Sequence, residues 1–128
     1  MGGNDATRNS LSGCVLALSG SPDQFYQLKA DHSLSGSLVP EIIRWQTPLM
    51  HMRRIATRDV ELGGKLIKKG DKVVMWYVSG NRDETVIQDA DKFIIDSDTP
   101  RQPLSFGFGI HRCMGNRLGE RQLHIVLD

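Results

Sequence analysis

Cysteine is scarce in this 128-residue chain. Cys14 and Cys113 are its two thiols, too few for a disulfide framework and suited to a reducing, cytoplasmic setting. Neither sign of charge is in excess: sixteen Lys and Arg face fifteen Asp and Glu, for a formal net charge of +1. That balance gives no broad electrostatic case for nucleic acid or an anionic membrane. Long apolar runs are also missing. The longest, Val73 to Val78, is strand-sized, so no membrane span is expected. Met1 to Asp5 offers neither a basic n-region nor an apolar h-region, so no secretion signal is expected. No internal repeat or low-complexity linker interrupts the chain. What remains, 39% hydrophobic and 24% charged residues, is ordinary for one modest globular domain.

Leu11, Cys14, Val15 and Leu18 recur at helical spacing, so Asp5 to Leu18 is expected to be a helix that Gly20 ends. Ser21, Pro22 and Gln24 read as N-cap, first helical position and capping box of a second helix, with Phe25 and Leu28 on its buried side. Asp31 to Gly36 reads as loop. A third helix is expected from about Leu38 to Trp45, with Ser37 as N-cap and Pro40 in its first turn. After Pro48 the texture turns to strands. Val60–Leu62 and Lys65–Ile67 flank Gly63-Gly64 as a hairpin that feeds a longer strand, Lys72 to Tyr77, which Ser79 to Asp83 breaks. A last helix runs from Leu118 to Asp128. The apparent helices at the two ends lack boundary signals, and a piece of a longer chain is expected.

The chemistry concentrates in FGFGIHRCMG, Phe106 to Gly115. Glycine inside an element costs about 0.5–1 kcal/mol relative to alanine. Gly107, Gly109 and Gly115 therefore call for left-handed backbone or close approach to something bulky. Cys113, just ahead of a helix, reads alone as a buried inert thiol before a ligand or nucleophile favoured by the helix's positive end, and the flanking glycines shift the balance toward the latter. Zinc needs more than His111 and Cys113; His32, His51 and His124 form no recognisable set with them. Glu41 and Arg44 share a helix face at i, i+3, an arrangement usual for a solvated surface pair. Gly2-Gly3-Asn4-Asp5-Ala6-Thr7 reads either as a frayed end or as a glycine-kinked helix beside a cofactor.

Taken together, F-x-x-G-x-x-x-C-x-G at Phe106 to Gly115, E-x-x-R at Glu41 to Arg44 and the acid-bearing helix ahead of both resemble the C-terminal part of a cytochrome P-450, a haem-thiolate monooxygenase. Segments such as EIIRWQTPL and KKGDKVVMWYVSGNRDE look similar to the bacterial branch that hydroxylates terminal carbons of alkanes and fatty acids. The resemblance implies a mostly α fold with a small β part, an incomplete C-terminal portion of that family's domain. Residues 1–128 would run from the end of the distal helix, through the E-x-x-R helix, the β-hairpin region and the cysteine loop, to the start of the next helix. It implies haem b (iron protoporphyrin IX) with Cys113 as the thiolate ligand of iron and Phe106, Gly107 and Gly115 around the sulfur. Arg54 and His111 stand at the positions of haem-propionate partners, and Glu41 and Arg44 at those of a structural pair. Asp5 and Thr7 would serve proton delivery. Gly2, Ala6, Leu49, Met50 and Met52 would edge the substrate cavity. The implied partners are a ferredoxin, its reductase and a small aliphatic substrate, in a bacterial cytoplasm.

Three positions depart from the family pattern. Ala6 stands where a threonine usually follows the acid. Thr7 lies about 100° around the helix and is no direct substitute. Ser97 stands where an arginine usually joins the Glu41–Arg44 pair, with Arg101 the nearest alternative. Pro103 replaces a histidine common in bacterial members.

Overall fold

The computed structural model describes residues 2–97 and 103–127. Its helices are α1 (Gly2–Gly20), α2 (Pro22–Ala30), α3 (Ser35–Gln46), α4 (Tyr77–Gly80) and α5 (Asn116–Leu127). Four strands make two antiparallel pairs. In one, β1 (His51–Ile55) runs against β4 (Lys72–Trp76), from His51 opposite Trp76 to Ile55 opposite Lys72. In the other, β2 (Val60–Leu62) and β3 (Lys65–Ile67) form a hairpin. Gly63 and Gly64 close that hairpin with φ of 58° and 73°, the two left-handed positions that a two-residue turn demands. The expected class, mostly α with a small β part, is observed.

The core is a triangle of helices, in which α1, α3 and α5 pack on one another. Cys14 and Ala17 of α1, Leu38, Val39, Ile42 and Ile43 of α3, and Leu123 of α5 meet there, joined by Leu28, Phe93 and Ile95. α1 approaches α3 closely at Gly13, where an added Cβ would lie 2.7 Å from the Gln46 side chain. Burial pushes the Cys14 thiol up to about 11, so this cysteine is a core residue and not a reactive one.

Several local expectations are corrected. Helix α3 begins at Ser35, so Pro40 lies inside it and not in its first turn. The turn before it is already helical: Asp31 accepts the Ser33 N–H and caps a 3-10 turn, His32–Leu34, that leads straight into α3. Ser37 is therefore no N-cap; its hydroxyl bonds the carbonyls of Leu34 and Ile95. Ser21 makes no side-chain cap bond. Gln24 instead accepts the Ile95 N–H at 2.7 Å, a tertiary bond that outcompetes the capping box. Phe25 is 42% exposed, and Leu28 alone carries the buried side of α2. β4 ends at Trp76, with Tyr77 opening α4. Gly2 and Gly3 are helical. They sit in the first turn of α1, where no i−4 ladder exists yet to be broken.

Candidate functional site

The Glu41–Arg44 pair is not the solvated surface pair that its spacing alone suggests. Arg44 is 0% exposed and Glu41 2%. The pairing is bidentate, Arg44 Nε to Glu41 Oε2 at 2.8 Å and Nη2 to Oε1 at 2.9 Å. The remaining guanidinium protons go to backbone: Nη1 donates to the carbonyls of Asn81 and Ala90, both at 2.6 Å, and Nη2 to that of Lys92 at 2.9 Å. Glu41 Oε1 also accepts the Ile94 N–H at 3.0 Å. One helical pair thus pins the irregular stretch from Asn81 to Ile94 by its main chain. A buried charge pair is tolerable only when such bonds fill its remaining valences. The stretch from Asn81 to Ile94 supplies such bonds from its main chain, and Ser97 stands where the family arginine usually lies. Arg101, the other candidate, lies outside the described residues.

The cysteine loop stands beside this platform. A 3-10 turn, Leu104–Phe106, opens it, and a second, Gly109–His111, precedes Cys113. Gly107 has φ 69° and Gly109 φ 66°, so both take the left-handed backbone that the glycines foreshadowed. At Gly107 a Cβ would also lie 3.2 Å from the Tyr77 hydroxyl oxygen. The Cys113 N–H donates to the Phe106 carbonyl at 2.9 Å, closing the loop on itself. Cys113 lies three residues ahead of α5 and its thiol is exposed, which excludes the buried inert reading. Its near neighbours in the chain, Phe108, Ile110 and Met114, are 63%, 97% and 101% exposed. Large apolar side chains exposed together on one loop are a surface suited to being covered. An added Cβ at Gly115 would stand 4.0 Å from Cys113 Sγ, in contact with it. Phe106 directs its ring into the core and contributes its carbonyl to the loop.

Arg54 is half-buried on the same face of β1 as Met52. It donates to the Arg53 carbonyl at 3.0 Å and joins no ion pair among the described residues. His111 is exposed. Leu49 and Met50 are exposed and Met52 is half-buried. Asp5 is exposed and pairs with Arg8 at 3.0 Å, one turn along α1. Ala6 and Thr7 are half-buried. Among the described residues no three His, Cys, Asp or Glu side chains gather as metal ligands.

Sequence reading missed Ser10 and a buried trio on the far side of Arg44. The Ser10 hydroxyl, 2% exposed, bonds the Ala6 carbonyl at 2.9 Å. Asn81 donates to the hydroxyls of both Thr47 and Ser105. Thr47 ends α3 with φ 43°. Nothing in the local composition marks these residues, because Ser79 to Asp83 looks like any polar breaker.

An exposed cysteine thus stands on a left-handed glycine loop that also exposes large apolar side chains, beside a buried carboxylate–guanidinium pair. The chain belongs to the cytochrome P450 family, whose model matches residues 34–128. It is similar to linalool 8-monooxygenase of Pseudomonas putida, 48% identical over 128 residues that make up all of this chain and 31% of that protein. It also resembles the methyl-branched lipid omega-hydroxylase of Mycobacterium tuberculosis, 41% identical over 98% of this chain and 30% of that protein. The solved structure of cytochrome P450-153 from Novosphingobium aromaticivorans superposes with a TM-score of 0.94 at 56% identity. That match covers 98% of this chain and 32% of the other. The chain therefore spans about a third of the length of its relatives. Family membership implies a haem-iron cofactor, and the residues fit it in three respects: the exposed thiol, the exposed apolar side chains of its loop and, in Arg54, an arginine with no carboxylate partner among the described residues.

These positions predict selective chemistry in the haem-free chain. A thiol-alkylating reagent at mildly alkaline pH is expected to modify Cys113 first and leave Cys14 unmodified until unfolding, since Cys14 is 0% exposed. Peptide mapping after partial alkylation reads this out. Equal labelling of both would contradict the burial of α1 against α3.

Proposed function

We propose that this chain is the C-terminal, cysteine-bearing part of a haem-thiolate monooxygenase that hydroxylates terminal carbons of alkanes or fatty acids. The observation that carries the reading is Cys113, exposed on a loop that also exposes large apolar side chains beside the Glu41–Arg44 platform. Haem b would be held by the Cys113 thiolate, with Arg54 and His111 as donors to its two carboxylates and Gly107 and Gly115 letting the main chain lie close. When bound, the haem would supply the iron chemistry by which dioxygen, two electrons from the ferredoxin and two protons convert a C–H bond to an alcohol and release one water. The loop backbone holds the thiolate, and Phe108, Ile110 and Met114 exclude water around it. Asp5, exposed and paired with Arg8, would stand at the outer end of a proton path that passes Ala6 and Thr7. Leu49, Met50 and Met52, with Gly2 and Ala6, would offer an apolar edge to an unbranched chain. The printed name of the lipid omega-hydroxylase relative supports terminal hydroxylation; that of the linalool 8-monooxygenase keeps a terpenoid alcohol as the alternative substrate.

The test is the reduced, carbon monoxide-treated spectrum of the complete haem-loaded enzyme carrying this sequence. A red-shifted thiolate band, with alkane or fatty-acid ω-alcohol as product, is expected. Absence of the band would overturn the reading.

Two further outcomes are expected. Arg112, Arg117 and Arg121 are exposed near Cys113 and suit an acidic iron–sulfur ferredoxin. Ferredoxin association should therefore weaken as salt rises, and salt-independent binding would exclude that face. The second concerns Ala6, which offers no hydroxyl beside Asp5. Water can occupy the room a methyl leaves where polar partners remain, but it delivers protons with less control. The enzyme is expected to release much of its reduced oxygen as peroxide. Ala6→Thr should raise product per nicotinamide consumed with little change in substrate affinity. Equal coupling in both proteins would mean that Thr7 or ordered water already fills the role.

A further inference from the structure

Asn81 is 0% exposed, and its side chain joins three segments of the chain. Its Oδ1 accepts the Leu104 N–H at 2.8 Å. Its Nδ2 donates to Thr47 Oγ1 at 2.9 Å and to Ser105 Oγ at 3.1 Å. The orientation of the amide is forced, because the atom facing a backbone N–H must be the oxygen. The two hydroxyls need a donor in turn. Thr47 gives its own proton to the Arg44 carbonyl at 2.5 Å, and Ser105 gives its proton to that of Ile43 at 3.3 Å. Each hydroxyl has a single proton, so only lone pairs face Asn81. An amide, with one acceptor and two donors, meets this demand and a carboxylate does not. The Asn81 carbonyl meanwhile accepts from Arg44 Nη1 at 2.6 Å. Asn81 thus grips the buried pair with its main chain and the entrance of the cysteine loop with its side chain. From Leu104 and Ser105 the connection to the ligand is short: the next residue, Phe106, accepts the Cys113 N–H. Gly80 helps, since Leu104 packs into the space over it.

We propose that Asn81 is the positioning residue of the cysteine loop. Its amide sets where the Leu104–Phe106 turn, and through Phe106 the Cys113 amide, stands relative to the Glu41–Arg44 platform. The consequence for iron ligation rests on the function proposed above; the positioning itself does not.

The experiment therefore reads both. Amide hydrogen exchange is followed in the haem-free complete protein, and the carbon monoxide spectrum in the haem-loaded one, for Asn81→Asp, Ser105→Ala and Arg82→Ala. Arg82 adjoins Asn81 but serves Asp91 and the Trp45 carbonyl, not the loop, and so is the control for local destabilisation. In Asn81→Asp, exchange across residues 104–113 should accelerate roughly tenfold to a hundredfold, the scale of losing buried donors, while β1 and β4 stay protected. Ser105→Ala, which removes one acceptor, should give a smaller change in the same segment and keeps the test decisive if Asn81→Asp does not fold. Arg82→Ala should leave that segment unchanged. In the haem-loaded proteins, Asn81→Asp should shift the spectrum from the thiolate band toward a thiol-type band, and Arg82→Ala should not. Unchanged exchange at 104–113, or equal acceleration there and in β1–β4, would overturn the proposal. So would a spectral shift in Arg82→Ala equal to that in Asn81→Asp. A wild-type protein without the thiolate band would sink the proposed function and leave the exchange result to decide on Asn81.

Discussion

Replacing Glu41 with alanine is expected to abolish haem incorporation and to unfold the stretch from Asn81 to Ile94. The substitution removes both carboxylate oxygens from a guanidinium that is 0% exposed and leaves the Ile94 N–H without its acceptor. Three carbonyls still face Arg44, but dipoles do not neutralise a buried charge. Breaking a buried pair on one side costs about 3–5 kcal/mol, against a total stability of about 5–15 kcal/mol for a domain. Glu41→Gln should cost less, since it keeps an acceptor for Ile94 and for one Arg44 proton. Joint replacement by apolar residues should not rescue the fold, because the carbonyls of Asn81, Ala90 and Lys92 would then lose their donor. Denaturant midpoints and haem content across the series check this. A Glu41→Ala protein with wild-type midpoint and haem content would mean that the pair contributes nothing to the fold.

Cys113→Ser should abolish the thiolate spectrum and hydroxylation while leaving the fold in place. The Cys113 side chain is exposed and outside the core, so the exchange of sulfur for oxygen costs no packing. The loop keeps its left-handed glycines and the N–H bond to the Phe106 carbonyl, both backbone features. What is lost is chemical. A serine hydroxyl is seldom ionised near neutral pH and cannot supply a thiolate's electron push. Activity should fall by several orders of magnitude with the denaturant midpoint nearly unchanged. Retention of the thiolate band in this variant would show that another residue is the ligand.

Much of this was legible in the sequence because it is written in local signals. The helices of the core follow the spacing of Leu11, Cys14 and Leu18 and of Leu38, Ile42 and Ile43, although Val15, read on the same face of α1, is 65% exposed. Gly63-Gly64 announces its hairpin. The glycines around Cys113 announce left-handed backbone and an unusual loop. The opaque parts are those whose meaning lies in distant partners. Glu41 and Arg44 look solvated at i, i+3, and only carbonyls 37 to 48 residues away make them a core pair. Gln24 has the spacing of a capping box but serves Ile95, 71 residues on. Pro40 stands inside α3 because a 3-10 turn ahead of Ser35 begins the helix earlier than the loop-like composition suggests. Asn81 reads as a strand breaker until Thr47, Leu104 and Ser105 are seen around it.

The central claim, that Cys113 presents a thiolate to haem iron, is tested most directly by X-ray absorption at the iron edge of the haem-loaded protein, wild type beside Cys113→Ser. The account predicts one sulfur scatterer bound to iron in the wild type and none in the variant, with Cys14 unable to substitute from the core. An iron shell of nitrogen and oxygen alone in the wild type, or a sulfur that persists in Cys113→Ser, would contradict it.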